Sequence, residues 1–197
     1  MSVFKSPFSL GFWKAAVGEL KNLRKLCFAA LMVAAAIVLG YFKIPVAENL
    51  NLTVSFVARA LCAAVCGPVL GVLYGAAEDI IGWFMNPDGV FFPGYTLSTM
   101  LAMVVYALFF YRQKLTLWRV IAAKVVTNYP INVGLGCLWS SILYGKGYLA
   151  IVPVSLLKNT LYLPFQVILL YMLLAALAPA MQKSGLLLPG TEPRRIN

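Results

Sequence analysis

Five intervals of this chain carry no charged residue: Leu26–Phe42, Ala60–Ala77, Gly89–Tyr111, Val125–Gly145 and Asn159–Gln182. A helix crosses a bilayer core with roughly 20 consecutive apolar residues, and four of the five intervals fit one crossing each, give or take their flanks. Composition points the same way. Of 197 residues 62% are hydrophobic and 11% charged, against about 25% charged in an ordinary soluble domain. Most of the outer surface therefore faces something other than water, and no polar stretch is long enough to make a second domain. The expected fold is an all-α membrane protein, a single bundle.

The second interval sets the helix count. The apolar stretch around it runs from Leu52 to Met85, too long for one span, and is interrupted by Gly67-Pro68 and Gly71. Glycine and proline are the strongest local breakers, so this stretch is expected to be a tight hairpin of helices over Leu52–Cys66 and Val69–Phe84. With that hairpin there are six transmembrane helices. Lys5, Lys14, Lys21, Arg24 and Lys25 then share one side with Arg112, Lys114, Arg119, Lys183, Arg194 and Arg195, leaving Lys43 and Lys146 outside. This satisfies the positive-inside rule, with both termini cytoplasmic, whereas five crossings would put the Arg112–Arg119 cluster outside.

The outward loops are then Lys43–Asn51, Asn86–Pro93 and Tyr144–Pro153. Residues 1–25 are a cytoplasmic segment in which Phe4, Phe8 and Phe12 recur at helical spacing among lysines. That spacing suits an interfacial helix, the alternative being a disordered tail. Residues 26–183 form the membrane domain, and 184–197, with Pro189, Gly190 and Pro193, read as a flexible cytoplasmic tail.

Several function classes are excluded. The net charge of +10 sits in short clusters between apolar runs, which is a topology signal rather than a nucleic-acid-binding face. The chain has 4 Cys and no His, with no C-x-x-C pair, so the ligand spacings of zinc, haem or iron–sulfur sites are absent and no metal or cofactor is expected. Gly145-Lys146-Gly147 lacks the earlier glycine and the hydroxyl of a P-loop, so the chain has no ATPase site of that kind and is not expected to be an enzyme.

Five ionisable residues fall within the expected helices: Arg59, Glu78, Asp79, Lys124 and Lys158. Each charge at the bilayer centre costs about 2.5–3.5 kcal/mol, so they are expected to face the protein interior. Arg59 and Asp79 lie at similar distances from the Gly67-Pro68 turn, where they would pair either as a structural link or as the floor of a pocket. Lys124, Asn128, Asn132 and Gly136 follow at a spacing of four and define a polar stripe. Interhelical hydrogen bonding is the plain account of the stripe; Lys124, near the inner end, can snorkel, and Asn132, deeper and further outward, is the better pocket candidate. A second stripe is Lys158, Tyr162 and Gln166, whose cation suits an anionic ligand. Phe92, Tyr95 and Trp139 belong to a crowd of aromatics at the outer end, either an interfacial belt or faces for a flat ring.

These motifs resemble a known family. Gly67-Pro68, Gly71, Gly75-Ala76 and Asp79-Ile80-Ile81-Gly82 are similar to the second and third helices of the S components of energy-coupling-factor (ECF) vitamin transporters. Phe91-Phe92-Pro93-Gly94-Tyr95-Thr96-Leu97-Ser98, the run from Asn132-Val133 through Trp139 to Tyr148, and Lys158-Asn159 with Leu163-Pro164-Phe165-Gln166 resemble the folate-specific branch. The resemblance extends from about Leu26 to Leu177. It implies a substrate-capturing subunit in the bacterial plasma membrane that binds folate from outside. Its partners would be a transmembrane scaffold subunit and two cytoplasmic ATPases.

The resemblance also implies docking to the scaffold through an A-x-x-x-A pattern, matched by Ala30 and Ala34. For folate, Phe92, Tyr95 and Trp139 would stack on the pterin and Asp79 with Asn132 or Gln166 would meet its polar edge. Lys158 or Arg59 would hold the carboxylates. The alternatives are an S component for another vitamin, such as thiamine or riboflavin, or an autonomous secondary transporter.

Overall fold

The computed structural model describes residues 9–187 apart from 43, 48–49, 88–89 and 146. Phe4, Phe8, Arg194, Arg195 and most of the expected C-terminal tail lie outside the described residues. Helix α1 spans Leu10–Gly18, opened by Ser9, whose side chain accepts from the Phe12 backbone N–H. A short turn over Glu19–Lys21 leads to Asn22, which caps α2, Leu23–Tyr41, by accepting from Arg24 N–H at 3.2 Å. Such caps satisfy backbone donors that have no partner within the helix.

The link from α2 to the next helix departs from the all-α expectation. Within the expected loop Lys43–Asn51, strands β1 (Ile44–Ala47) and β2 (Leu50–Leu52) pair antiparallel, Ile44 opposite Leu52. Pro45 cannot continue a helix, and strand pairing gives the connecting backbone the hydrogen bonds it needs.

The stretch with the internal glycine is a hairpin, as its breakers imply. A helical run α3, Phe56–Met85, is interrupted at Gly67, whose φ of 77° and ψ of −177° are not helical. Arg59 Nε lies 2.8 Å from Glu78 Oε2, nineteen residues further on. A straight helix would separate those residues by about 28 Å, so the two limbs, 56–66 and 68–85, run antiparallel. Gly67 has a left-handed φ, and a Cβ there would stand 3.1 Å from the Tyr111 ring. Only glycine accepts both conditions without strain. Pro68 follows at the first position of the second limb, where its missing N–H costs nothing.

The first limb is short, about 16 Å long at 1.5 Å per residue, against a hydrocarbon core of about 30 Å. From the turn at Gly67 it therefore reaches only part-way along the bundle. The chain entering it, Thr53 and Ser55, is non-helical backbone at depth. Such backbone is tolerated in a membrane where it is buried or lines a cavity, and here it lines a cavity.

Helix α4 spans Pro93–Phe110. Next comes one continuous rod, α5 (Leu117–Val126), a π-helical stretch (Thr127–Leu135) and α6 (Gly136–Tyr144). Pro130 lies inside the π stretch. A proline has no N–H and crowds the carbonyl four residues back, and a widened turn accommodates both defects. Helix α7, Tyr148–Lys183, runs for 36 residues with Pro153, Pro164 and Pro179 inside it. It begins at Tyr148, so the third outward loop is shorter than the expected Tyr144–Pro153. Among the described residues six helices build the bundle: α2, the two α3 limbs, α4, the α5–α6 rod and α7. Four helical elements, α2, α3, α4 and α7, are each long and apolar enough to cross a membrane.

The first α3 limb sits at the centre, with Ala58, Ala60, Cys62, Ala63, Val65 and Cys66 all buried. Small residues let helix backbones approach closely where no hydrophobic drive distinguishes protein from lipid. At the hairpin end α1 packs in through Phe12, whose ring meets Tyr111 edge-on at 5.4 Å. Glu19 ties that end together. Its Oε1 accepts from Lys25 Nζ at 2.7 Å, Tyr111 OH at 2.7 Å and Arg112 Nη2 at 2.9 Å. Burial alone would raise the Glu19 carboxyl, but bonds from Lys25, Tyr111 and Arg112 outweigh it and hold the group below its ordinary value.

Candidate functional site

Where the short α3 limb stops, four elements surround a polar cavity of about 100 Å³. Thr53, Ser55, Phe56 and Arg59 come from the limb and its entry, and Ala102 and Tyr106 from α4. Lys124 and Asn132 come from the α5–π rod, and Lys158, Asn159, Tyr162 and Gln166 from α7. Tyr162 OH donates to the Thr53 carbonyl at 3.4 Å, tying α7 to the limb's entry.

Four of the expected binding residues meet here, Arg59, Asn132, Lys158 and Gln166, together with Lys124 and Tyr162 of the two polar stripes. The second stripe lies whole in the cavity wall, since Lys158, Tyr162 and Gln166 are spaced at four on α7. The first stripe is joined by its own hydrogen bonds. Asn132 Nδ2 donates to Asn128 Oδ1 at 3.4 Å, and Asn128 Nδ2 donates to Gln166 Oε1 at 2.7 Å. Both asparagines belong to the π stretch, whose wider turn keeps a four-residue spacing on one face.

Arg59 pairs with Glu78, not with Asp79. Its Nε lies 2.9 and 2.8 Å from the two Glu78 oxygens. Asp79 does not line the cavity and instead accepts from Thr96 Oγ1 at 2.6 Å. The two carboxylates are adjacent in sequence, and about 100° of helix rotation separates their directions.

Lys124 does not snorkel. It is 1% exposed, its Nζ donates to Tyr106 OH at 3.3 Å, and it lies 4.2 Å from the centroid of the Phe56 ring. The sequence placed Lys124 in the polar stripe but gave it no binding role, and it did not single out Tyr106, Phe56, Thr53, Ser55 or Ala102, which also line the cavity. The stripe itself was the available signal, because Asn132, which shares Lys124's face, also faces the cavity.

The three aromatic candidates form a separate group, about two to three helical turns from the cavity residues of α4 and the rod. Phe92 stands 6.1 Å from Tyr95 and 5.7 Å from Trp139, centroid to centroid. Trp139 Nε1 donates to Ser98 Oγ at 2.9 Å, which fixes the indole. A Cβ on Gly94 would come within 2.6 Å of Trp139, so a glycine is needed for the rings to close over this helix start.

The bundle thus presents cations and amides in the cavity and aromatic faces in a separate group. The family profile described as the ECF transporter substrate-specific component matches residues 24–174. The chain belongs to this family. Among similar proteins is the folate transporter FolT of Leuconostoc mesenteroides subsp. mesenteroides, 30% identical over 160 residues, 78% of this chain and 85% of that protein. The folate transporter FolT of Clostridium novyi (strain NT) is 28% identical over 152 residues, 77% of this chain and 88% of that protein. A crystal structure of FolT bound with folic acid superposes with a TM-score of 0.72 at 28% identity, covering 77% of this chain and 93% of that one.

As an ECF substrate-specific component the chain is a multi-pass membrane protein of a transporter family rather than an enzyme. Helix α1 precedes the matched segment. Ala30 and Ala34 both lie on the exposed side of α2, while Ala29, Val33 and Ala36 face the bundle.

Proposed function

We propose that this chain captures folate from outside the cell and delivers it inward when coupled to a scaffold subunit and two ATPase subunits. The carrying observation is the cavity itself, a polar pocket with Lys124, Lys158, Asn132 and Gln166 on its walls inside an apolar bundle. The two FolT relatives and the similarity to FolT bound with folic acid support the choice of folate.

Folate offers a flat pterin and a tail with two carboxylates. Phe92, Tyr95 and Trp139 are assigned to stacking on the ring, where aromatic pairs contribute about 0.5–1.5 kcal/mol beyond burial. Asn132 and Gln166 are assigned to polar contacts and Lys158 to the charged end, Arg59 being already matched by Glu78. Asp79, outside the cavity and engaged by Thr96, receives no role in this pose. The cavity of about 100 Å³ is smaller than the roughly 300–1,000 Å³ of small-molecule sites, so the ligand would occupy both it and the aromatic group.

Family membership supports a plasma-membrane location, and charge placement supports an orientation with the hairpin end inside. The exposed Ala30–Ala34 side of α2 is assigned to scaffold docking, because small residues allow close helix approach. Thiamine fits less well as a ligand: it is a cation, and the cavity is lined by three cationic side chains. The deciding experiment is titration of the purified chain in detergent, without nucleotide, with folate, thiamine and riboflavin. Saturable folate binding is expected. Tight thiamine or riboflavin binding with no response to any pterin would reject folate and leave the family intact.

A further inference from the structure

Positive charge outnumbers negative charge around the cavity. Arg59 is matched by both oxygens of Glu78. Lys124 and Lys158 line the same space, and among the described residues neither forms an ion pair. Lys124 is almost wholly buried, with Tyr106 OH and the Phe56 ring against its ammonium. A phenol oxygen and a ring face soften the desolvation of that charge without neutralising it. Fold stability does not call for such a lysine. A methionine would fill similar volume without a charge to desolvate, and exchanging buried ions for apolar side chains is often neutral or stabilising.

We infer that Lys124 on α5 and Lys158 on α7 together bind the two carboxylates of the ligand's glutamate tail. This rests on the folate reading above and deepens it. A ligand that brings two negative charges completes a site that is otherwise two charges out of balance. Charge-assisted hydrogen bonds to carboxylates are also about twice as strong as neutral ones. The tail enters first, into the small cavity between the two lysines, and the pterin remains with Phe92, Tyr95 and Trp139. Lys124 is thereby a specificity residue, because a ring without carboxylates gains nothing from it.

The test uses the full chain in detergent with two ligands, folate and 6-hydroxymethylpterin, which carries the ring and no carboxylate. Lys124→Met is expected to weaken folate binding by at least about 10-fold, the low end for a lost bond to a charged group. Its affinity for the pterin should stay within about threefold of wild type by the same reasoning. The ligand-free variant should melt no lower than wild type, the reverse of what a structural lysine predicts. Lys124→Gln, which keeps a polar side chain of similar length without the charge, repeats both titrations and decides the matter if Lys124→Met does not fold. Unchanged folate affinity in a folded variant overturns the inference, as does an equal loss for the pterin, which would put Lys124 on the ring. Wild-type protein that fails to bind folate rejects the proposed function and this inference with it. Wild-type protein that binds while the variants are unaffected rejects this inference alone.

Discussion

Glu78→Gln removes the carboxylate that holds Arg59 and leaves its geometry almost unchanged. In the native protein both Glu78 oxygens lie within 2.9 Å of Arg59 Nε, with the Glu78 side chain 6% exposed and that of Arg59 30% exposed. Breaking a fully buried pair by losing one partner costs 3–5 kcal/mol. Arg59 opens on the cavity, so the lower end, about 3 kcal/mol, is the appropriate figure. For a domain of this size that corresponds to roughly 6–12 °C in melting temperature. Replacing both residues, Arg59→Met with Glu78→Leu, should recover most of the loss, because no unpaired charge remains. The assay is a double-mutant cycle of thermal unfolding in one detergent without ligand. Single variants within 1 °C of wild type, or a double variant worse than either single one, would refute the reasoning.

Three further outcomes follow from the structure. Gly67→Ala forces a side chain into a left-handed φ of 77° and against the Tyr111 ring. It should cost about 1–2 kcal/mol, visible as a lower melting temperature. Glu19 has a folded pKa below its ordinary value of 4.5, so its stabilising contribution is fully present above that value and is lost as pH falls through the folded pKa. Thermal melts of Glu19→Gln should accordingly show a smaller drop in acid than wild type, whereas identical acid profiles would deny the carboxylate that role. Ala34→Trp should leave ligand binding by the isolated chain intact and abolish uptake in cells carrying the scaffold and ATPases, measured with labelled folate.

The helices were legible because their signals are local. Charge-free length announces a span, and Gly67-Pro68 marks the reversal whatever packs around it. The α7 stripe was legible for the same reason, since Lys158, Tyr162 and Gln166 share a face by helical period alone. The partner of Arg59 was not. Glu78 and Asp79 are equally distant from the turn to within one residue, and only the rotation of the second limb about its axis decides which of them faces the first.

For Lys124 the sequence leaves interior burial and snorkelling both open, because depth is counted from the helix end, as if lipid and water lay beside it. Phe56, at the start of the shortened limb, places its ring over the ammonium instead, and a sequence far from Lys124 determines that contact. The β1–β2 pairing is of the same kind, since strand partners are chosen by where two helices deliver the chain.

By itself the sequence determined that this protein lives in a membrane, that its helical hairpin turns at Gly67, and which side chains are too polar to face lipid. Those outcomes depend on transfer energies and backbone limits that each short segment carries with it. The tertiary structure alone decided which charges meet. Arg59 is answered by Glu78, and Lys124 and Lys158 share a cavity in which neither is paired with an acid among the described residues. Electrostatic energy depends on distances across the bundle, and those exist only after the helices have chosen their rotations and the short limb has left a space between them.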